Sequence, residues 1–114
     1  MSHYDRAWAL YQVNRFKESE VFFHRLIAES PANGYYWEAL GHCLKMQNKH
    51  EDALEMYRMA LFLGCKEPTL FVYIAECLSH TGQKENCLKM LELAERKIDN
   101  NKKDSVRLLK KVWS

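Results

Sequence analysis

The apolar residues of this chain fall in short helical stripes that recur at a fixed interval. Trp37, Leu40, Gly41 and Leu44 are matched 34 residues later by Phe71, Ile74, Ala75 and Leu78. Ala53, Tyr57 and Ala60 are matched at the same offset by Cys87, Leu91 and Ala94. Spacings of three and four within each set belong to one face of a helix. Each position keeps its size class. Small residues stand where paired helices cross closely, and large ones fill the space between them. One interval earlier, Ala7, Leu10, Phe23 and Leu26 take the Gly41, Leu44, Tyr57 and Ala60 positions, and Ser19 takes the Ala53 position. The first copy is degenerate at its start, where His3 and Arg6 replace Trp37 and Leu40. A terminal repeat exposes its outer face, so this departure is expected.

A period of about 34 residues with one helix–turn–helix per copy is the tetratricopeptide period. The pattern predicts helices at about 4–13, 16–29, 35–46, 50–63, 69–80 and 84–99. The turn inside each copy falls at Asn14, Asn48 and Gly82, one repeat apart. Asn and Gly are the residues that accept the left-handed conformation ending a helix, so turn chemistry supports the register independently of hydrophobicity. Ser30 to Gly34 separates the first two repeats. Gly64 closes the fourth helix, and Pro68 sits in the first turn of the fifth, where its missing N–H costs nothing. Val106, Leu109, Val112 and Trp113 form one further apolar stripe, with Lys103, Arg107, Lys110 and Lys111 opposite. The expected fold is all-α: three tetratricopeptide repeats at about 1–33, 34–67 and 68–101, and a C-terminal capping helix at about 102–113. Together they make a single domain over 1–114, a right-handed solenoid with a concave groove.

Charge and cysteines narrow the function classes. The net charge is +2. From Lys84 onward there are nine Lys/Arg against five Asp/Glu, a net of +4, and the first 83 residues carry eight against ten, a net of −2. The basic excess reads as a solvated face and not as a nucleic-acid site. Met1 is followed by polar residues, and the longest apolar run, Met59 to Cys65, is too short to cross a bilayer. The four cysteines sit at helical positions without disulfide-framework or zinc spacing, which points to a reduced, cytoplasmic setting.

In a stack of such hairpins the first helix of each pair lines the inner wall. The inward positions carry Tyr4, Trp8 and Tyr11 in the first repeat, Tyr35, Ala39, His42 and Met46 in the second, and Val72, Tyr73 and Glu76 in the third. Large aromatics that packing does not require, gathered on a concave wall, suggest a groove for an extended peptide. The alternative is that an N-terminal segment or a dimer partner covers Trp8 and Tyr11. A carboxylate clamp of the kind used for heat-shock chaperone tails needs Lys, Asn and Arg on this wall. The matching positions are Tyr4, Trp8, Ala39, Thr69 and Tyr73, so the ligand should have apolar anchors.

These details resemble one family, the class II chaperones of bacterial type III secretion. The resemblance covers nearly the whole chain. It lies in Ala7-x-x-x-Tyr11 followed by Arg15-Phe16-x-Glu18-x-Glu20-Val21-Phe22-Phe23, then Tyr57-x-x-Ala60-Leu61-x-Leu63-Gly64, then Glu67-Pro68 and Ala75-Glu76-Cys77-Leu78. It implies a non-enzymatic, cytoplasmic bacterial chaperone. An N-terminal segment of a translocator protein would lie extended in the groove and stay soluble before export. Carried over, the pockets for its anchors would involve Tyr4, Trp8, Tyr11, Tyr35, Ala39, His42 and Tyr73. The family also has an N-terminal helical arm that often mediates dimerisation. This chain starts almost at its first helix, so homodimerisation is left open. The family tends to be acidic, whereas this chain is slightly basic.

Other chemistries fare poorly. Cys43 and Cys77 share a repeat position, with His42 and His80 nearby, but neither C-x-x-C nor H-x-x-x-H spacing occurs, so no metal or cofactor is expected. Glu76 and His80 form an i,i+4 pair without a nucleophile, oxyanion donors or a phosphate loop, so no enzyme is expected. The basic final stretch lacks a groove-reading motif for nucleic acid. The runner-up is a tetratricopeptide adaptor that joins components of an unrelated complex.

Overall fold

The computed structural model describes residues 1–97, with side chains described through 93; the expected capping helix at about 102–113 and the end of the third repeat lie outside them. Among the described residues there are six helices and no strand: α1 (His3–Gln12), α2 (Phe16–Glu29), α3 (Gly34–Met46), α4 (His50–Phe62), α5 (Pro68–His80) and α6 (Lys84–Lys97). Each lies within about a residue of its sequence-predicted place, save the end of α6, which runs to the last described residue. They pair as α1 with α2, α3 with α4 and α5 with α6, three helical hairpins of the tetratricopeptide type. None is long and apolar enough to cross a membrane.

The three intra-repeat turns share one construction. Asn14, Asn48 and Gly82 have φ of 65°, 62° and 79°. Each donates its N–H three residues back, to Tyr11, Lys45 and Ser79. The next residue donates five back: Arg15 to Leu10, Lys49 to Leu44, Gln83 to Leu78. This is the Schellman pair of bonds, which satisfies the last carbonyls of the helix while the chain reverses. Gly64, at φ 103°, ends α4 the same way, with Cys65 donating to Ala60.

The chain divides into two compact units, Met1–Cys65 and Lys66–Ser114. In the first unit α2 packs against α3, so the first hairpin is layered on the second. Small residues make the crossings. Ser19 is fully buried; its hydroxyl donates to the Ala7 carbonyl at 2.6 Å and lies 3.5 Å from the Cys43 thiol, tying α2 to α1 and α3. The Trp37 indole N–H donates to the Pro31 carbonyl at 2.8 Å and pins the inter-repeat link to α3. Phe23, Leu40, Leu54 and Tyr57 fill the space between. In the second unit α5 carries Leu70, Phe71, Ile74 and Leu78 into the interior, and α6 carries Cys87 and Leu91.

Candidate peptide-binding site

The residues expected to meet a ligand fall in both units. In the first, Tyr4, Trp8 and Tyr11 follow one another along α1 at spacings of four and three, which places them on one face. Their rings touch in sequence. Tyr4 meets Trp8 edge-on with centroids 6.4 Å apart, and Trp8 meets Tyr11 edge-on at 5.4 Å. Trp8 also packs at 5.1 Å against Phe23 of α2, in the core beneath it. Two rings that were not among the expected site residues extend this row. Phe16, at the start of α2, stands 5.2 Å from Tyr11, and Tyr36 of α3 stands 6.3 Å from Tyr4. Along α1 and at Phe16 the rings meet edge to face, which sets the positive rim of one against the negative face of the next.

On α3, Tyr35 is 60% exposed and Met46 is 48% exposed, so both offer apolar surface. Ala39 does not. It is 3% exposed and belongs to the packed interior, because its small side chain stands where the helix is covered.

His42 is held more firmly than a groove residue needs to be. Its Nδ1 lies 2.7 Å from the Tyr57 hydroxyl, and its Nε2 lies 3.8 Å from Oε1 of Glu38. Tyr57 is fully buried and reaches this place because Gly41 leaves room: a Cβ on Gly41 would sit 2.8 Å from Cε1 of the ring. Burial pushes the His42 pKa down to about 4, helped by the positive charge of Lys45. The imidazole is therefore neutral near pH 7. A neutral imidazole has one donor and one acceptor nitrogen, and the Tyr57 hydroxyl can serve either, so Nδ1 is paired with it in both tautomers. The arrangement has no nucleophile. It supplies oriented polar edges beside aromatic surface.

In the second unit, Val72, Tyr73 and Glu76 are half-buried on α5. The Glu76 carbonyl accepts from the Ser79 hydroxyl at 2.7 Å. His80, on the same helix, is exposed. Cys43, Cys65, Cys77 and Cys87 are all buried and reduced. Burial raises the Cys43 thiol pKa to about 11, partly offset by its contact with Ser19 and reinforced by the charge of Glu20. A thiol so protonated is a small apolar filler.

Comparison with known proteins bears on the fold. No family model matches the chain. Over 83 residues, 71% of its length, the chain is 32% identical to a TPR repeat-containing protein of Treponema pallidum. It spans only 10% of the length of that relative. Among solved structures, the type III secretion chaperone SycD of Yersinia enterocolitica, in complex with a peptide of the translocator YopD, superposes with a TM-score of 0.89 at 22% identity, covering 97% of this chain and 88% of that one. PcrH, a Pseudomonas aeruginosa protein solved with the chaperone binding region of PopD, superposes with a TM-score of 0.88 at 17% identity, covering 97% and 87%. The fold of this chain is the all-α, tetratricopeptide-type fold that these secretion chaperones share.

Proposed function

We propose that this protein is a non-enzymatic, cytoplasmic chaperone that holds an extended N-terminal segment of a type III secretion translocator and keeps it soluble before export. The observation that carries this reading is the continuous row Tyr4–Trp8–Tyr11 on α1, joined by Tyr36 of α3, a helix that also exposes Tyr35 and Met46. Rigid aromatic rings offer contact area with little rotamer entropy to lose, which suits small apolar anchors spaced along an extended chain. The likeness to chaperones solved with translocator segments supports the same class of ligand. In the second unit α5 offers a set of its own, Val72, Tyr73 and Glu76.

The alternative is a tetratricopeptide adaptor that joins components of an unrelated complex; the likeness to chaperones solved with translocator segments weighs against it. Co-expression separates the two. A chaperone makes an otherwise insoluble translocator, rich in long apolar segments, soluble and co-purifies with it. An adaptor binds a partner that is already soluble alone. A translocator left in inclusion bodies beside abundant soluble protein would count against the chaperone.

A further inference from the structure

Repeat register places Trp8 and Phe23 where the second repeat has His42 and Tyr57. The two pairs pack alike, edge to face, with centroids 5.1 Å and 5.4 Å apart. They differ in one polar respect. The His42 ring nitrogen finds the Tyr57 hydroxyl at 2.7 Å. Phe23 has no hydroxyl, and the Trp8 Nε1–H is sealed from solvent with no hydrogen-bond partner. The other described tryptophan, Trp37, donates its N–H to the Pro31 carbonyl. A buried donor left unmade is costly, and native proteins hold few of them. Trp8 also lies in the middle of the aromatic row.

We propose that the Trp8 indole N–H is the docking donor of this wall and takes a main-chain carbonyl of the bound extended segment. This rests on the peptide-binding reading above and specifies its chemistry. Every residue of a ligand carries a carbonyl, so Trp8 reads backbone while the neighbouring rings take side chains. Of the rings packed against the indole, Tyr4, edge-on at 6.4 Å, is 48% exposed and has room to turn aside as a ligand enters. In the free protein the donor is closed in and unsatisfied. The ligand supplies the acceptor that Phe23 cannot.

The test uses an array of overlapping peptides of YopD and PopD, with the Trp8→Phe variant, which keeps a ring and deletes the donor. For the best-bound peptide, the variant should bind about three- to tenfold more weakly, the worth of one neutral hydrogen bond. Its melting midpoint should be no lower than that of the wild type, because an orphaned donor has gone. The indole proton of Trp8 should move downfield on binding while that of Trp37 stays. Equal affinities, or an unmoved Trp8 proton in the bound wild type, overturn the docking donor and leave the peptide site standing. A lower midpoint with unchanged affinity would make Trp8 a packing residue only. If the wild type binds no peptide of the array, the peptide-binding reading fails for these clients and the donor assignment fails with it.

Discussion

The hydroxyl of Tyr57 lies 2.7 Å from Nδ1 of His42, across the crossing of α4 and α3. The bond joins a fully buried core ring to a half-buried side chain on α3. It orients the imidazole and couples the core to the surface of α3.

The first consequence is a pH dependence of stability. The unfolded pKa is 6.5 and the folded one about 4, so above pH 6.5 both states are neutral at His42 and the stability is fully present. As the pH falls from 6.5 toward about 4, the unfolded chain takes up a proton that the folded protein refuses, and stability is lost. At 1.36 kcal/mol per pKa unit the ceiling is about 3 kcal/mol. Urea unfolding at several pH values should show the wild type losing stability faster than His42→Gln across that window. Parallel curves would remove His42 as the source.

Gly41→Ala should destabilise the protein. The added Cβ would meet Tyr57 carbons at 2.8, 3.0 and 3.1 Å. Better helix propensity returns about 1 kcal/mol, against about 1–3 kcal/mol for the overpacking. The first repeat tolerates Ala7 opposite Phe23. A phenyl ring can shift, whereas the Tyr57 ring is tethered through its hydroxyl. Gly41→Ala should therefore cost less in a Tyr57→Phe background, a coupling that a double-mutant cycle measures. Strict additivity would mean the hydroxyl does not hold the ring.

Asn48 occupies the left-handed turn at φ 62° with its N–H bonded to Lys45. Asn48→Gly should leave the denaturation midpoint nearly unchanged, as the third repeat already uses Gly82 there. Asn48→Ala should cost about 1 kcal/mol, the penalty of placing an ordinary side chain in that conformation. Equal midpoints for the two variants would contradict the turn assignment.

Much of this fold was readable before any coordinates. The helices follow from apolar spacing, and Asn14, Asn48 and Gly82 mark the reversals because few residues tolerate positive φ. Tyr4, Trp8 and Tyr11 could be placed on one face by helical period alone. The contributions of Phe16 and Tyr36 could not, since the first depends on how α2 folds back on α1 and the second on how helices from different hairpins approach. Ala39 was expected at the wall, but its exposure depends on what lies over it, which periodicity does not encode. The His42–Tyr57 bond joins residues 15 apart on different helices. Neither it nor the orphaned N–H of Trp8 leaves a mark in the sequence, because both are properties of packed side chains.

Site-specific photo-crosslinking tests the central claim most directly. A photoreactive phenylalanine analogue would replace Tyr4, on the aromatic row, or Arg58, exposed on α4, during co-expression with a translocator. The wall reading predicts an adduct from position 4 that maps to the translocator's N-terminal segment, and little from position 58. Adducts from position 58 alone, or position 4 adducts scattered over the whole client, would contradict it.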